Sequence, residues 1–424
     1  MAKIKPFKAV IYNKEKVGDV AKVVCPPYDV IPKERVQYYY DKNPYNLINL
    51  ILSREAPGKD KYENAGIILK DWIKSGVFAR DEKPAVYFYS QQYMVRGEKK
   101  VRLGFISLMH LGAAHAHENT RLEAKEDRFS LLKKVKANLS PIFVIFEDRK
   151  RMVQRVYQEQ VRQMAPFIDI TDEEKTNHKL WRLDSPEILL SIQAAMDNED
   201  AFIADGHHRY EVACAYRDLM QKKMEAVTGE EDFNYLLTYF TNTDPRGLTI
   251  LPIHRLVKIG ARFDTAKVLA CLSANFAVEE VKERGRFFFL MEKGGRTEHL
   301  LGMYKDNKFW ILRLKNVKAI DQFIADKPKV SRSLDVSILN SMVLKEILGS
   351  EPDTNNKNIE YSHDADELIA IVDNDHSAVA FFLNSSNIKD ILSVASAGEK
   401  MPPKSTFFYP KVLSGLVINK LEDK

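Results

Sequence analysis

Two hydrophobic periods interleave along this chain. Ile67, Ile68, Leu69 and Trp72 fall at helical spacing, and so do Phe129, Leu132 and Val135, so helices are expected over 62–72 and 122–135. Residues 85–95 and 101–109 instead read as a strand pair, separated by the polar run Arg96-Gly97-Glu98-Lys99. Further along, 141–146, 180–183, 201–204, 235–240 and 248–256 read as strands. Helices are expected over 152–164, over 186–196 with Ser185 as N-cap, and through the stretch holding Val212, Tyr216, Leu219 and Met220. In the last third, 287–291, 309–314 and 378–383 read as strands, while 336–348 and 388–394 read as helices. Gly349 should end the first of these helices, and Asp364 with Glu367 forms a capping-box pattern before another apolar run. Pro26 and Pro27 bar a helix over 23–31 and hold that loop extended. Strand and helix are mixed from end to end, which predicts a mixed α/β (α+β) fold. A chain of 424 residues exceeds one ordinary core, so it should be multi-domain.

Composition narrows the class of protein. With 64 basic and 59 acidic side chains the formal charge is +5, mild for this length. A nucleic-acid partner is therefore not expected from charge alone. Cys25, Cys214 and Cys271 are too few and too far apart for a disulfide framework or a thiolate zinc site. The N-terminus lacks the apolar run of a signal peptide, and no window is long and apolar enough to span a membrane. A reduced cytoplasmic location with no membrane partner is the resulting expectation.

The segment 201–216 carries the clearest chemistry. A short apolar strand runs into Asp205-Gly206-His207-His208-Arg209 and then into a helix. Gly206 permits a sharp turn and close approach of a ligand. The first N–H groups of the helix have no intrahelical partner and make an anion site. A helix end contributes only about 0.3–1 kcal/mol to a nearby anion. A charge-assisted bond from Arg209 or a protonated histidine adds about 1.5–3 kcal/mol. His207, His208 and Arg209 are therefore the expected phosphate donors, with the helix end assisting. Asp205 is suited to hold magnesium or to orient a substrate amine or hydroxyl. The competing reading is a simple cap with packed histidines.

Other polar groups recur elsewhere. Asn119 or Thr120 can cap the helix that follows them, and Glu118 just before it is placed as a general base. Lys125 and Arg128 on that helix are either site residues or a solvated face. His115 and His117 ligate a metal only if they share one strand face. The rigid loop Pro26-Pro27-Tyr28-Asp29 carries one carboxylate, and 403–411 gathers Lys404, Ser405, Thr406, Lys411 and three aromatics, suited to a base or a phosphate. His254-Arg255 is more simply read as packing. Walker, dinucleotide-binding and nucleophile-elbow patterns are absent.

Pro26-Pro27-Tyr28-Asp29-Val30-Ile31, Asn43-Pro44, His117-Glu118-Asn119-Thr120, Asp127-Arg128, Ala137–Phe143, Ala204–Tyr210 and Lys404–Lys411 together resemble the prokaryotic family known as domain of unknown function 1015. The match runs over nearly the whole chain. Asp205-Gly206-His207-His208-Arg209 is also similar to the signature of the ParB/sulfiredoxin superfamily, in particular its free serine kinases. That resemblance implies a ParB/sulfiredoxin-like catalytic core at 101–260, between an N-terminal α/β region at 1–100 and a C-terminal α/β domain at 261–424. It implies catalytic roles for Glu118 as base, Asp205 and His208, with Asp205 on the metal. Nucleotide would be held by Gly206, His207, His208, Arg209, Lys404 and Ser405. The cofactors implied are ATP or ADP with Mg2+, and the activity is a kinase for a small hydroxylated metabolite, with free L-serine first. No cysteine stands at the turn, which argues against sulfiredoxin activity. Two other functions stay open: a metal-dependent hydrolase using His115, His117, Asp205 and His207, and a non-enzymatic nucleotide-binding regulator of ParB type. Homo-oligomerisation is open as well.

Overall fold

A computed structural model describes residues 2–118, 122–259, 264–325, 328–349 and 358–422. The strand pair read around residue 96 is the middle of the largest sheet. Its strands are β1 (Ile4–Lys5), β2 (Val86–Val95), β3 (Glu98–His110), β4 (Ala114–His115), β5 (Ile142–Phe146), β6 (Ile168–Thr171), β7 (Asn177–Leu183), β8 (Ala201–Asp205) and β9 (Tyr235–Asn242). They lie in the order β4-β8-β5-β9-β3-β2-β7-β6, with β1 added alongside β3. Val95 pairs with Glu98, so the turn is only Arg96-Gly97. Both residues have positive φ, 50° and 80°, as a tight hairpin turn of the right twist demands. Glu98 and Lys99, read as turn, belong to β3 because they pair with Val95 and Met94. The sheet is mixed: β8 runs parallel to β4 and antiparallel to β5, and β9 runs parallel to β5.

Helices cover this sheet where the periodicity predicts them. The ones that matter here are α1 (Lys61–Lys74), α2 (Leu122–Val135), α3 (Pro186–Met196) and α4 (His207–Gln221). Ser185 precedes α3 but makes no capping bond; Pro186 at the first helical position supplies a preset φ instead. α4 buries Tyr210 and Ala213 in the same cluster as Ile142, Val144 and Ile203 from β5 and β8. That packing fixes the start of α4 against the end of β8. The stretch 152–164 is an α-helical turn over Met152–Val156 followed by one wider turn over Tyr157–Val161.

The chain forms two compact units. The first comprises Met1–Ala116, Thr120–Thr249 and Pro410–Lys424, and the second His117–Asn119 and Ile250–Tyr409. The expected boundary at residue 100 falls inside β3, a central strand paired on both sides with β2 and β9. The chain passes into the second unit between Thr249 and Ile250 and returns at Pro410.

The second unit holds a six-stranded sheet in the order Phe276–Val281, Lys308–Leu314, Leu300–Lys305, Ala378–Phe382, His254–Lys258, Ile359–Ser362. Every neighbouring pair is antiparallel. One expectation is overturned here: 287–291 is not a strand but part of a helix over Arg284–Gly294. Phe287 and Met291, four residues apart, are buried, while Phe289 between them is 62% exposed. That is a helical face, which a short unbroken apolar run conceals. The strand read over 248–256 is broken into Thr249–Leu251 and His254–Lys258, with Pro252, which has no N–H to give a ladder, in the gap. Asp364 caps its helix by accepting from the N–H groups of Asp366 and Glu367, and Gly349 ends its helix at φ 73°. Among the described residues, no helix is long and apolar enough to cross a membrane. The capping role expected of Asn119 or Thr120 lies outside the described residues.

Candidate functional site

The end of β8 is irregular where the chemistry begins. Ile203 faces Val144 and Asp205 faces Phe143, so Ala204 is an extra residue in the ladder. Such a bulge re-aims the side chain that follows it. Gly206 then turns the chain at φ 93° as the N-cap residue of α4. A Cβ there would lie 2.9 Å from Ile142 Cγ2 and 3.0 Å from Arg209 Cζ. Both the backbone angle and the contact therefore require glycine. No side chain caps α4, so its first N–H groups are not taken up by a capping residue.

Asp205 sits between two cations. One carboxylate oxygen accepts from Lys411 Nζ, and the other accepts from Arg209 Nη2 at 2.8 Å. Arg209 Nη1 donates to the carbonyl of Pro141. Burial pushes the Asp205 carboxyl up, but Lys411 and Arg209 outweigh it and bring it down to about 2. The group is thus ionised at any physiological pH. Two cations thus flank one half-buried carboxylate, beside the positive end of the α4 dipole.

Lys411 is a site residue that the turn motif alone did not reveal. It belongs to the returning segment 410–424, and buried polar groups hold its backbone. Gln91 Nε2 donates to the Lys411 carbonyl at 3.0 Å. Arg102 donates to the Pro410 carbonyl and, through Nε at 3.0 Å, to Gln91 Oε1. Arg102 is 1% exposed, with its guanidinium 4.6 Å from the Phe143 ring centroid. A cation so buried on β3, bonded to the first residue of the returning segment, is the available signal. In sequence it is only an arginine in an apolar strand.

The other expected site residues fall into two groups. His207 is buried and His208 half-buried, both in the first turn of α4. Tyr28 of the double-proline loop lies 4.2 Å from the Arg128 guanidinium, ring centroid to carbon. Burial pushes the Tyr28 hydroxyl up, and its charged surroundings include Asp29, Arg128, Arg209 and Asp205. Arg128 and Arg209 both line a cavity of about 70 Å³. Lys125 pairs with Glu211 of α4 at 3.1 Å, and His115 stacks on Phe202. Glu118, Lys404 and Ser405 belong to the second unit. There Glu118 Oε1 accepts from the Lys404 N–H at 2.9 Å, Arg255 Nη2 donates to the Lys404 carbonyl at 2.9 Å, and Ser405 Oγ donates to the Pro402 carbonyl. Burial pulls the Arg255 guanidinium down to about 10.

The donor set for a resident metal does not fit. Among the described residues no group of three His, Cys, Asp or Glu side chains could hold an ion. Both oxygens of Asp205 are already given to cations. A hydrolase built on His115, His117, Asp205 and His207 therefore lacks its ligand cluster.

A mixed-sheet unit with a charged, glycine-turned strand-to-helix junction is the class of protein that fold and site define. The chain belongs to the family described as a protein of unknown function, DUF1015, whose model matches residues 4–337. No curated protein matches the sequence. Among solved structures, one titled free serine kinase in complex with AMP is similar at 12% identity, covering 72% of this chain and 86% of its own, with a TM-score of 0.35. SbnI with C-terminal truncation, from Staphylococcus aureus, is similar at 12% identity over 73% and 85%, with a TM-score of 0.37. A conserved hypothetical protein from Pyrococcus furiosus is similar at 14% identity over 72% and 92%, with a TM-score of 0.34.

Proposed function

We propose that the turn at 205–209 binds nucleotide phosphates and that the chain transfers a phosphoryl group to a small hydroxylated metabolite, with free L-serine the first acceptor to test. The observation that carries this reading is the Asp205 cluster: a half-buried carboxylate flanked by Lys411 and Arg209 at the start of a helix with no side-chain cap. Phosphoryl transfer asks a protein mainly for position and positive charge. An arriving phosphate competes with Asp205 for Lys411, and His207, His208 and the first N–H groups of α4 donate to its oxygens. Arg209 stays on Asp205 and the Pro141 carbonyl and keeps the turn in shape. Asp205 serves as the resting partner of Lys411 and orients the acceptor's hydroxyl or amine. Magnesium enters with ATP or ADP as part of the nucleotide, held chiefly by phosphate oxygens.

A coupled assay tests this: ATP or ADP with magnesium against a panel of amino acids and hydroxy acids. Lys411→Ala should lower turnover by about 100-fold or more, the usual cost of one donor at developing charge. Full turnover in Lys411→Ala and Asp205→Ala sinks the site, and absence of transfer to every panel member sinks the activity.

A further inference from the structure

The first unit contains a small cavity of about 70 Å³ whose lining includes Tyr28, Arg128, Ser140 and Arg209. The remainder of its wall is largely aliphatic, including Leu132 and Ala213. Among the described residues that line it there is no Asp or Glu. Arg128 has its counter-charge outside the cavity, donating through Nε to Asp127 at 2.7 Å and through Nη1 to the Ile51 carbonyl at 2.6 Å. Arg209 shares its carboxylate, Asp205, with Lys411. Its Nε is buried and has no hydrogen-bond partner. Among the described residues the lining thus carries two guanidinium groups, no carboxylate and one unsatisfied donor.

We propose that this cavity binds the carboxylate end of a short-chain acid, its carboxylate on the Arg209 and Arg128 side and its carbon chain along the aliphatic wall. The size sets the length, since a cavity of about 150 Å³ takes a benzene ring and this one is smaller. The walls set the chemistry. A phosphate in the same place would leave oxygens facing hydrocarbon, at a cost no contact offsets. A carboxylate presents two oxygens at one end and carbon at the other. A short amine meets two guanidinium groups and is repelled. The inference rests on the phosphoryl-transfer reading only where it makes this acid the acceptor; binding itself does not depend on it.

Calorimetric titration of the full chain with propionate, L-lactate and L-serine, against n-propylamine, tests the proposal. The acids bind and the amine does not. Ala213→Leu fills the cavity from a helical position where both residues are good helix formers, and weakens the acids by at least about tenfold. Leu132→Ala enlarges it and shifts preference from propionate toward valerate, which keeps the test alive if the first variant fails to fold. Equal binding of the amine, or unchanged acid binding in a folded Ala213→Leu protein, overturns the cavity assignment. So does an absence of binding by every acid. Nucleotide binding and phosphoryl transfer, measured on the same samples, separate the two readings. Acids that bind without any transfer leave the cavity standing and remove the kinase. Transfer with acid affinities unchanged by Ala213→Leu does the reverse.

Discussion

Asp205 is the residue whose environment makes the sharpest demand. Its carboxyl is held at about 2 against an ordinary 3.8, because Lys411 and Arg209 outweigh its burial. A depressed carboxyl contributes stability that is fully present above its unfolded value and is lost as pH falls through its folded one. The window is therefore roughly pH 4 down to pH 2, and the linked contribution is about 2 kcal/mol. Asp205→Asn removes that contribution and leaves two half-buried cations without their shared carboxylate, a loss of at least about 2 kcal/mol at neutral pH. Urea denaturation should show the variant far weaker than the parent at pH 7, with the gap narrowing toward pH 2. Asp127 is also brought down to about 2, burial opposed by Arg128 and Lys61, but it is present in both proteins and cancels from the difference. A gap that stays constant with pH contradicts the charge cluster. At this scale the sequence was informative where local rules suffice. Glycine between a strand and a helix announces a tight turn, and Gly206 takes φ 93° there. The same string does not say that Arg209 bends back onto Asp205, because that depends on Pro141, a neighbour from another strand's start.

Elements were legible in proportion to their length and to the clarity of their period. The helix at 122–135 lies as read, and the hairpin lies where it was expected, with a turn of two residues rather than four. The helix at 284–294 was not legible, because Phe287-Phe288-Phe289-Leu290-Met291 is apolar at every position and hides which face is inside. The packing resolves it and yields a comparison. Phe289→Lys replaces an exposed ring and should change stability by no more than about 0.5 kcal/mol. Phe287→Ala empties a site at the centre of the second unit's core and should cost about 3–5 kcal/mol. In a strand, alternation would put both residues on one face and make both changes costly. Thermal denaturation of the two variants distinguishes these cases. The bulge at Ala204 belongs to the same scale: it aims Asp205, yet nothing in Ala201–Asp205 as a string marks it, since a bulge is a relation between two strands.

At the scale of the whole molecule, the order of the chain matters most. Domains are usually read as contiguous stretches, so a division near 100 and 260 was natural from sequence, and the return of 410–424 to the first unit was invisible to it. That return supplies more than Lys411. Ser414 exchanges backbone bonds with Cys25 and its hydroxyl bonds Ser140 at 2.6 Å. Ile418 N–H donates to Val10 at 3.0 Å, and Asn419 bonds Asn138 at 3.0 Å. Val412, Leu413, Leu416, Val417 and Ile418 are all buried. At about 1.5–3 kcal/mol for each buried aliphatic side chain, the segment contributes as much as the roughly 5–15 kcal/mol that holds a typical domain folded. A chain ending at Tyr409 should therefore have an unfolded or open first unit, while the antiparallel sheet of the second keeps its protection. Cys25 reports the difference cheaply, because it is buried in the intact chain and its backbone partner is Ser414. Thiol labelling of Cys25 should go from slow to immediate in the shortened chain, and Cys271, already exposed, should label alike in both. Hydrogen exchange should show β2, β3 and β5 unprotected, and a synthetic peptide of residues 410–424 added in trans should restore part of that protection. Slow labelling of Cys25 without the segment would mean that the first unit folds before the chain returns, and that the returning residues add Lys411 to a scaffold already complete.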